Sequence, residues 1–163
     1  MIYYMEEKTM PYNFDSVLHC REAEIYDLTD MIELLRQLFS IESDFSFDAE
    51  KQKTGLQMLL HSDTCKVFVA EKQGHVVGMA TLQILISTAE GGYCGLVEDV
   101  VVDKNHRRQG IGSLLLETTT EWAENKGLKR VQLLADKANA PAMAFYFKYK
   151  WMLTDLICFR KIL

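Results

Sequence analysis

Val100-Val101-Val102-Asp103-Lys104-Asn105-His106-Arg107-Arg108-Gln109-Gly110-Ile111-Gly112-Ser113 decides how this chain is read. A β-branched run meets a basic turn, and two glycines then open a stretch with helical spacing. A strand that runs through a glycine-rich turn into a helix N-terminus aims successive backbone N–H groups at one point, and the helix dipole favours negative charge there. Lys104, Arg107 and Arg108 add full positive charges. The stretch therefore predicts a grip on a phosphorylated ligand.

Spacing narrows the ligand. A nucleoside triphosphate loop needs a glycine, four residues, then Gly-Lys-Ser/Thr, whereas Ser113 follows Gly112 here with no lysine. A dinucleotide fingerprint needs Gly-x-Gly-x-x-Gly after its strand. Gly110 and Gly112 fit its first two positions, but Leu115 stands at the third. What fits is Arg-x-x-Gly-x-Gly at Arg107, Gly110 and Gly112. Alone, that turn reads more simply as a helix cap with two solvated arginines. A second motif follows, Asn139-Ala140-Pro141-Ala142-Met143-Ala144-Phe145-Tyr146-Phe147-Lys148, with a strand between the two. Together and in this order they resemble the GNAT superfamily of acetyl-CoA-dependent N-acetyltransferases. The likeness is close over residues 65–163 and one of general layout over 17–64. The family usually closes the second helix with Gly-Phe, where this chain has Lys150-Trp151.

The chain has 163 residues, which suits one domain, residues 17–163, preceded by an extension, 1–16, whose role is not legible. Nearly half the residues are apolar, so a substantial core is available. The net charge of −5 argues against general nucleic-acid binding and mildly favours cationic substrates. Cys20, Cys65, Cys94 and Cys158 are scattered, and neither they nor His19, His61, His75 and His106 show metal-ligand spacing. Reduced thiols in a cytoplasmic protein are the expectation, with Cys94 and Cys158 in strand cores. No apolar run reaches membrane-spanning length, and residues 1–7 lack the pattern of a signal peptide.

Periodicity predicts a strand at 17–24, a helix starting at Asp27 with Leu28, Ile32, Leu35 and Phe39 inward, and an acidic-aromatic loop at 40–47. A second helix is expected at 48–61. Strands follow at 66–71 and 76–87, joined at Gln73-Gly74-His75, and a third runs from about residue 92 through Val102. A helix at 110–126 stops at Gly127. A strand at 130–135, a helix from Asn139 with Pro141 in its first turn, and a closing strand at 152–162 complete the chain. The strand–helix–strand step across 97–135 demands a parallel crossover. The expected fold is an α/β (α+β) mixed, mostly antiparallel sheet with helices on both faces and a parallel β–α–β cofactor-binding core, as in the GNAT fold. The apolar closing strand, with Leu156, Ile157, Phe159 and Ile162, suits an edge that pairs with a second copy, and a homodimer is consistent with the family.

Acetyl transfer to an amine needs a neutral amine, a stabilised oxyanion, a held cofactor and a protonated leaving thiolate. Neutralising an alkyl amine at neutral pH costs on the order of 4–5 kcal/mol, and a carboxylate can accept that proton. Glu98 and Asp99 stand before the cofactor loop, and strand alternation sends them to opposite faces. The resemblance implies that Glu98 is the base, its ordinary reading being a paired rim carboxylate. It also implies a bulge in this strand that frees main-chain groups beside the thioester, at the edge formed by Val100, Val101 and Val102. The CoA pyrophosphate would sit on the amides of Arg107, Arg108, Gln109, Gly110, Ile111, Gly112 and Ser113, with Gln109 and Ser113 adding side-chain donors. Tyr146 would protonate the thiolate. Asn139 would bond the cofactor arm, or cap its helix, or both. Glu42, Asp44, Phe45, Phe47 and Asp48 would suit a cationic amine or merely form a solvated loop. Polyamine, amino sugar, amino acid and protein amine all stay open as acceptors, as does a CoA-binding sensor without catalysis; a nucleotide-binding protein is disfavoured.

Overall fold

A computed structural model describes residues 18–42 and 44–162; the predicted extension, 1–16, lies outside the described residues. Five strands form one sheet in the order β1-β2-β3-β4-β5: β1 (His19–Glu22), β2 (Cys65–Lys72), β3 (His75–Ser87), β4 (Gly92–Val102) and β5 (Val131–Leu133). The pairs β1–β2, β2–β3 and β3–β4 are antiparallel, and β4–β5 is parallel. The mixed sheet with its parallel crossover is thus as expected. Gln73 and Gly74 turn the β2–β3 hairpin with positive φ of 54° and 76°, the geometry that matches the right-handed twist of two strands.

Among the described residues the α-helices are α1 (Leu28–Phe39), α2 (Ala49–Leu60), α3 (Ile111–Asn125) and α4 (Ala140–Lys148), and the first three cover the two faces of the sheet. Met31, Leu34 and Leu35 of α1 and Leu56 of α2 pack with Val67, Val69, Met79 and Val101 on one face. Ile111 and Leu115 of α3 pack with Phe68, Ala70, Val77 and Ala80 on the other. The fully buried stripe of α1 is therefore Met31-Leu34-Leu35, while Leu28, Ile32 and Phe39 lie at its margin. Asp48 caps α2 by accepting the N–H groups of Glu50 and Lys51, an arrangement worth about 1 kcal/mol. Asp27 makes no such cap for α1. Its buried carboxylate takes both amino groups of Arg21, at 2.7 and 2.8 Å, and the N–H of Glu24. Tertiary pairing outcompetes the local cap, because a buried carboxylate without a charged partner is costly.

Two expectations fail at the C-terminal end. Residues 152–162 form no strand, and Met152, Leu156, Phe159 and Ile162 are 88–89% exposed. A strand needs a neighbouring ladder, and β5 at three residues offers too short an edge. Cys158 is consequently exposed, whereas Cys94 is buried in β4. Among the described residues, no helix is long and apolar enough to cross a membrane.

Candidate active site

The site is built where β4 departs from β5. The two strands pair only over Gly95–Val97 and Val131–Leu133, so β4 beyond Val97 leaves one edge without a strand. On its other side β4 carries a bulge: Ala80 pairs with Val100 and Leu82 with Val97, so Glu98 and Asp99 together oppose the single residue Thr81. The extra residue breaks the alternation of faces. Val97 and Val100, three apart in sequence, both pack toward α3. Glu98 and Asp99 both meet the opposite face of β3: Gln83 Nε2 donates to Glu98 Oε2 at 2.7 Å, and Thr81 Oγ1 donates to Asp99 Oδ2 at 3.3 Å. Thr81 and Gln83 are alternate residues of one face. This corrects the expectation that only one of the two carboxylates faces the site; the bulge presents both.

The two carboxylates differ. Glu98 is exposed. Asp99 is half-buried and receives a second tie, its own N–H donating to Thr81 Oγ1 at 3.0 Å. Thr81 itself is fully buried. Burial first, then the negative charges of Glu98 and Glu42, push the Asp99 carboxyl up to about 7, against the opposing bond from Thr81. Sequence reasoning passed over Asp99 because its burial depends on the bulge.

The N–H groups of Asp99 and Asp103 both turn toward β3. By alternation, the main-chain groups of Val100 and Val102 point to the open edge. Arg107 Nε donates to the carbonyl of Val102 there, at 3.1 Å. Val101 does not fit its expected place at this edge: its main chain pairs with Met79, and its side chain is buried in the α1–α2 core.

The loop 103–110 follows at once. Among the described residues, no protein acceptor takes the backbone N–H of residues 107–113. Gly110 has φ +83° and Arg108 φ 62°, left-handed conformations that turn successive amides toward one side. Arg107, Arg108 and Gln109 are exposed, with Lys72 Nζ donating to Gln109 Oε1 at 2.9 Å. Ile111 is 1% exposed, so only its main chain faces the loop. A Cβ on Gly112 would stand 3.2 Å from the Phe145 ring; glycine here lets α4 close over the start of α3. The Ser113 hydroxyl is hydrogen-bonded to the Tyr149 hydroxyl, which ties the same two helices. Phe145 and Tyr149 thus brace the end of α4 against the start of α3, their rings 5.0 Å apart.

Tyr146 is half-buried on α4 between Phe145 and Trp151. Burial, followed by the negative charge of Glu42, raises its hydroxyl above the ordinary tyrosine range, so it stays protonated at neutral pH. Asn139 Oδ1 accepts the N–H of Ala142 and caps α4, which leaves its amide nitrogen for other partners. Glu42, in the loop after α1, is raised by burial and then by Asp136 and Asp44. Arg160 lies 4.4 Å from the Phe45 ring centroid in that loop. Arg160 also pairs with Asp44 at 3.9 Å, while Glu42 feels the charges of Asp136 and Asp44 and in turn raises Asp99, so carboxylates gather near Asp99 with Asp44 partly offset.

Comparison with known proteins agrees with this geometry. The Acetyltransferase (GNAT) family matches residues 28–149. A glucosamine 6-phosphate N-acetyltransferase of Trypanosoma brucei brucei is 37% identical over 84 residues, 51% of this chain and 55% of that protein. The chain thus spans about half the length of that relative. An aminoglycoside acetyltransferase from an uncultured soil metagenomic sample, solved with trehalose, superposes with a TM-score of 0.75 at 29% identity, over 90% of this chain and 96% of that one. An aminoglycoside N-acetyltransferase solved with CoA shares the fold at a TM-score of 0.78 and 17% identity, over 90% and 95% of the two chains. The chain belongs to the GNAT acetyltransferase family.

Proposed function

We propose that this protein transfers acetyl from acetyl-CoA to a primary amine of a cationic small molecule, by direct attack in a ternary complex. The observation that carries the reading is the break in β4–β5 pairing after Val97, where the bulge sets Glu98 and Asp99 beside the open main-chain edge of Val100 and Val102. The amide run of Arg107, Arg108, Gln109, Gly110, Ile111, Gly112 and Ser113 suits the CoA pyrophosphate. Open main-chain donors beside it suit the pantetheine arm and the developing oxyanion, and the Asn139 amide suits the same arm.

In this reading Glu98 meets the incoming ammonium at the rim. Asp99, titrating near neutrality, takes the proton that frees the nitrogen lone pair. The nitrogen attacks the thioester carbon, the carbon–sulfur bond breaks, and the thiolate takes the Tyr146 hydroxyl proton; the nitrogen's second proton then leaves to water, from which the Tyr146 phenol is restored. The relatives act on sugar amines of opposite charge, aminoglycosides and a phosphorylated glucosamine. The carboxylates of Glu42, Glu98, Asp99 and Asp136, with Asp44 partly offset by Arg160, favour polycationic amines over a phosphosugar. A cytoplasmic location, and a second copy covering residues 152–162, belong to the same reading.

The test is thiol release from acetyl-CoA with an aminoglycoside, spermidine, glucosamine 6-phosphate, amino acids and a lysine peptide. A polycationic amine is expected to exceed glucosamine 6-phosphate at least about tenfold in kcat/KM. Turnover of the phosphosugar alone would overturn the substrate class. With the best acceptor, Asp99→Asn should remove an inflection near pH 7 that Glu98→Gln keeps. The converse would return the base to Glu98.

A further inference from the structure

We propose that Gln37 is a positioning residue for the cofactor, locking the start of the phosphate loop so that the amides of residues 107–113 face one point. Gln37 sits on the last full turn of α1, half-buried, far in sequence from the loop. Its amide makes two bonds of opposite sense. Nε2 donates to Asp103 Oδ2 at 2.9 Å, and Oε1 accepts the Lys104 N–H at 3.0 Å. Among the described residues, these are the hydrogen bonds that join α1 to the loop. They stand beside a shallow groove of about 270 Å³ lined by Gln37, Asp103 and His106 together with Leu34, Val76 and Val77.

Asp103 converts that grip into loop geometry. Its Oδ1 accepts the Asn105 N–H at 2.9 Å and lies 2.9 Å from His106 Nδ1. Its carbonyl accepts the His106 N–H, and its own N–H donates to Val77. Asp103, Lys104, Asn105 and His106 thus spend their backbone donors inside the protein, and the open run begins at Arg107. Without Gln37, the Lys104 N–H and one Asp103 oxygen lose their partners, and the first turn of the loop is free to rotate. An anion cradle depends on all its donors converging at once, so such rotation weakens phosphate binding.

This inference rests on the reading that residues 107–113 hold the CoA pyrophosphate, and the experiment separates the two. Wild-type protein and the variants Gln37→Met and Gln37→Ala are assayed with acetyl-CoA and with S-acetylpantetheine, which lacks the pyrophosphate. Methionine keeps the volume of glutamine and removes both bonds, so folding is preserved if alanine proves too disruptive. If the wild type does not prefer acetyl-CoA to the truncated thioester, the cradle reading itself fails. Given that preference, each variant is expected to raise the KM for acetyl-CoA about tenfold, the worth of one or two net hydrogen bonds. Its kcat, its acceptor KM and its kcat/KM for S-acetylpantetheine should stay within about twofold of wild type, a margin of a few tenths of a kcal/mol. An unchanged ratio between the two thioesters, even with a lowered Tm, would show that Gln37 only braces α1 and would overturn the proposal. An equal loss with both thioesters would overturn it as well.

Discussion

Asp99→Asn should stabilise the protein, and more so as the pH rises. The folded state lifts the Asp99 carboxyl from 3.8 to about 7, through burial first and the charges of Glu98 and Glu42 after it. A raised carboxyl pKa means that the fold favours the protonated form. Stability is then intact below the unfolded value, falls as pH climbs through the interval, and levels off above the folded value. About three units at 1.36 kcal/mol each amount to about 4 kcal/mol at about pH 8, and linkage leaves less than half of that at about pH 5. Asparagine is never charged and keeps an oxygen to accept from Thr81 Oγ1. The stability gap between variant and wild type should therefore widen by about 2.5 kcal/mol from about pH 5 to about pH 8. Urea unfolding followed by circular dichroism at the two pH values measures it, and other titrating groups cancel in the difference. Glu98→Gln removes one of the charges that raise Asp99, so it should narrow the widening. A gap that is the same at both pH values would refute the account of Asp99 as a carboxyl charged at a cost.

Tyr146→Phe should lower kcat by about 10²-fold, the lower range for a positioned acid, and leave CoA affinity by calorimetry nearly unchanged; equal turnover would remove Tyr146 from its role. Gly110→Ala should destabilise the fold by about 1–2 kcal/mol, because a side chain at φ +83° is strained, and should weaken CoA binding. Thermal melts and calorimetry report the two effects, and an unaltered melt would contradict the left-handed turn. Leu156→Glu with Phe159→Glu should shift sedimentation from dimer to monomer if a second copy covers the tail, and wild-type protein that sediments as a monomer would end that assignment.

Much of the fold was legible because its signals are local. The Val-rich run, Gly110, Gly127, Asp48 and the Asn139–Pro141 start each act within one or two turns of chain, so the crossover and the glycine turn follow from spacing. The failures are all non-local. Asp27 reads as a helix cap by its neighbours, but Arg21, across a turn, takes its carboxylate. Residues 152–162 have the composition of a strand and no ladder to join. The Ser113 hydroxyl also meets Tyr149, a partner that its own stretch of sequence does not reveal.

The sequence by itself determined that a basic glycine turn joins a strand to a helix, and that a tyrosine helix follows after one more strand, because backbone dihedrals and amphipathic period are properties of adjacent residues. Only the tertiary structure decided that Glu98 and Asp99 share a face, that Asp99 rather than Glu98 is the buried one, and that Gln37 holds the loop. A bulge is a mismatch between two strands, burial is set by elements distant in sequence, and neither is written in the residues that carry it.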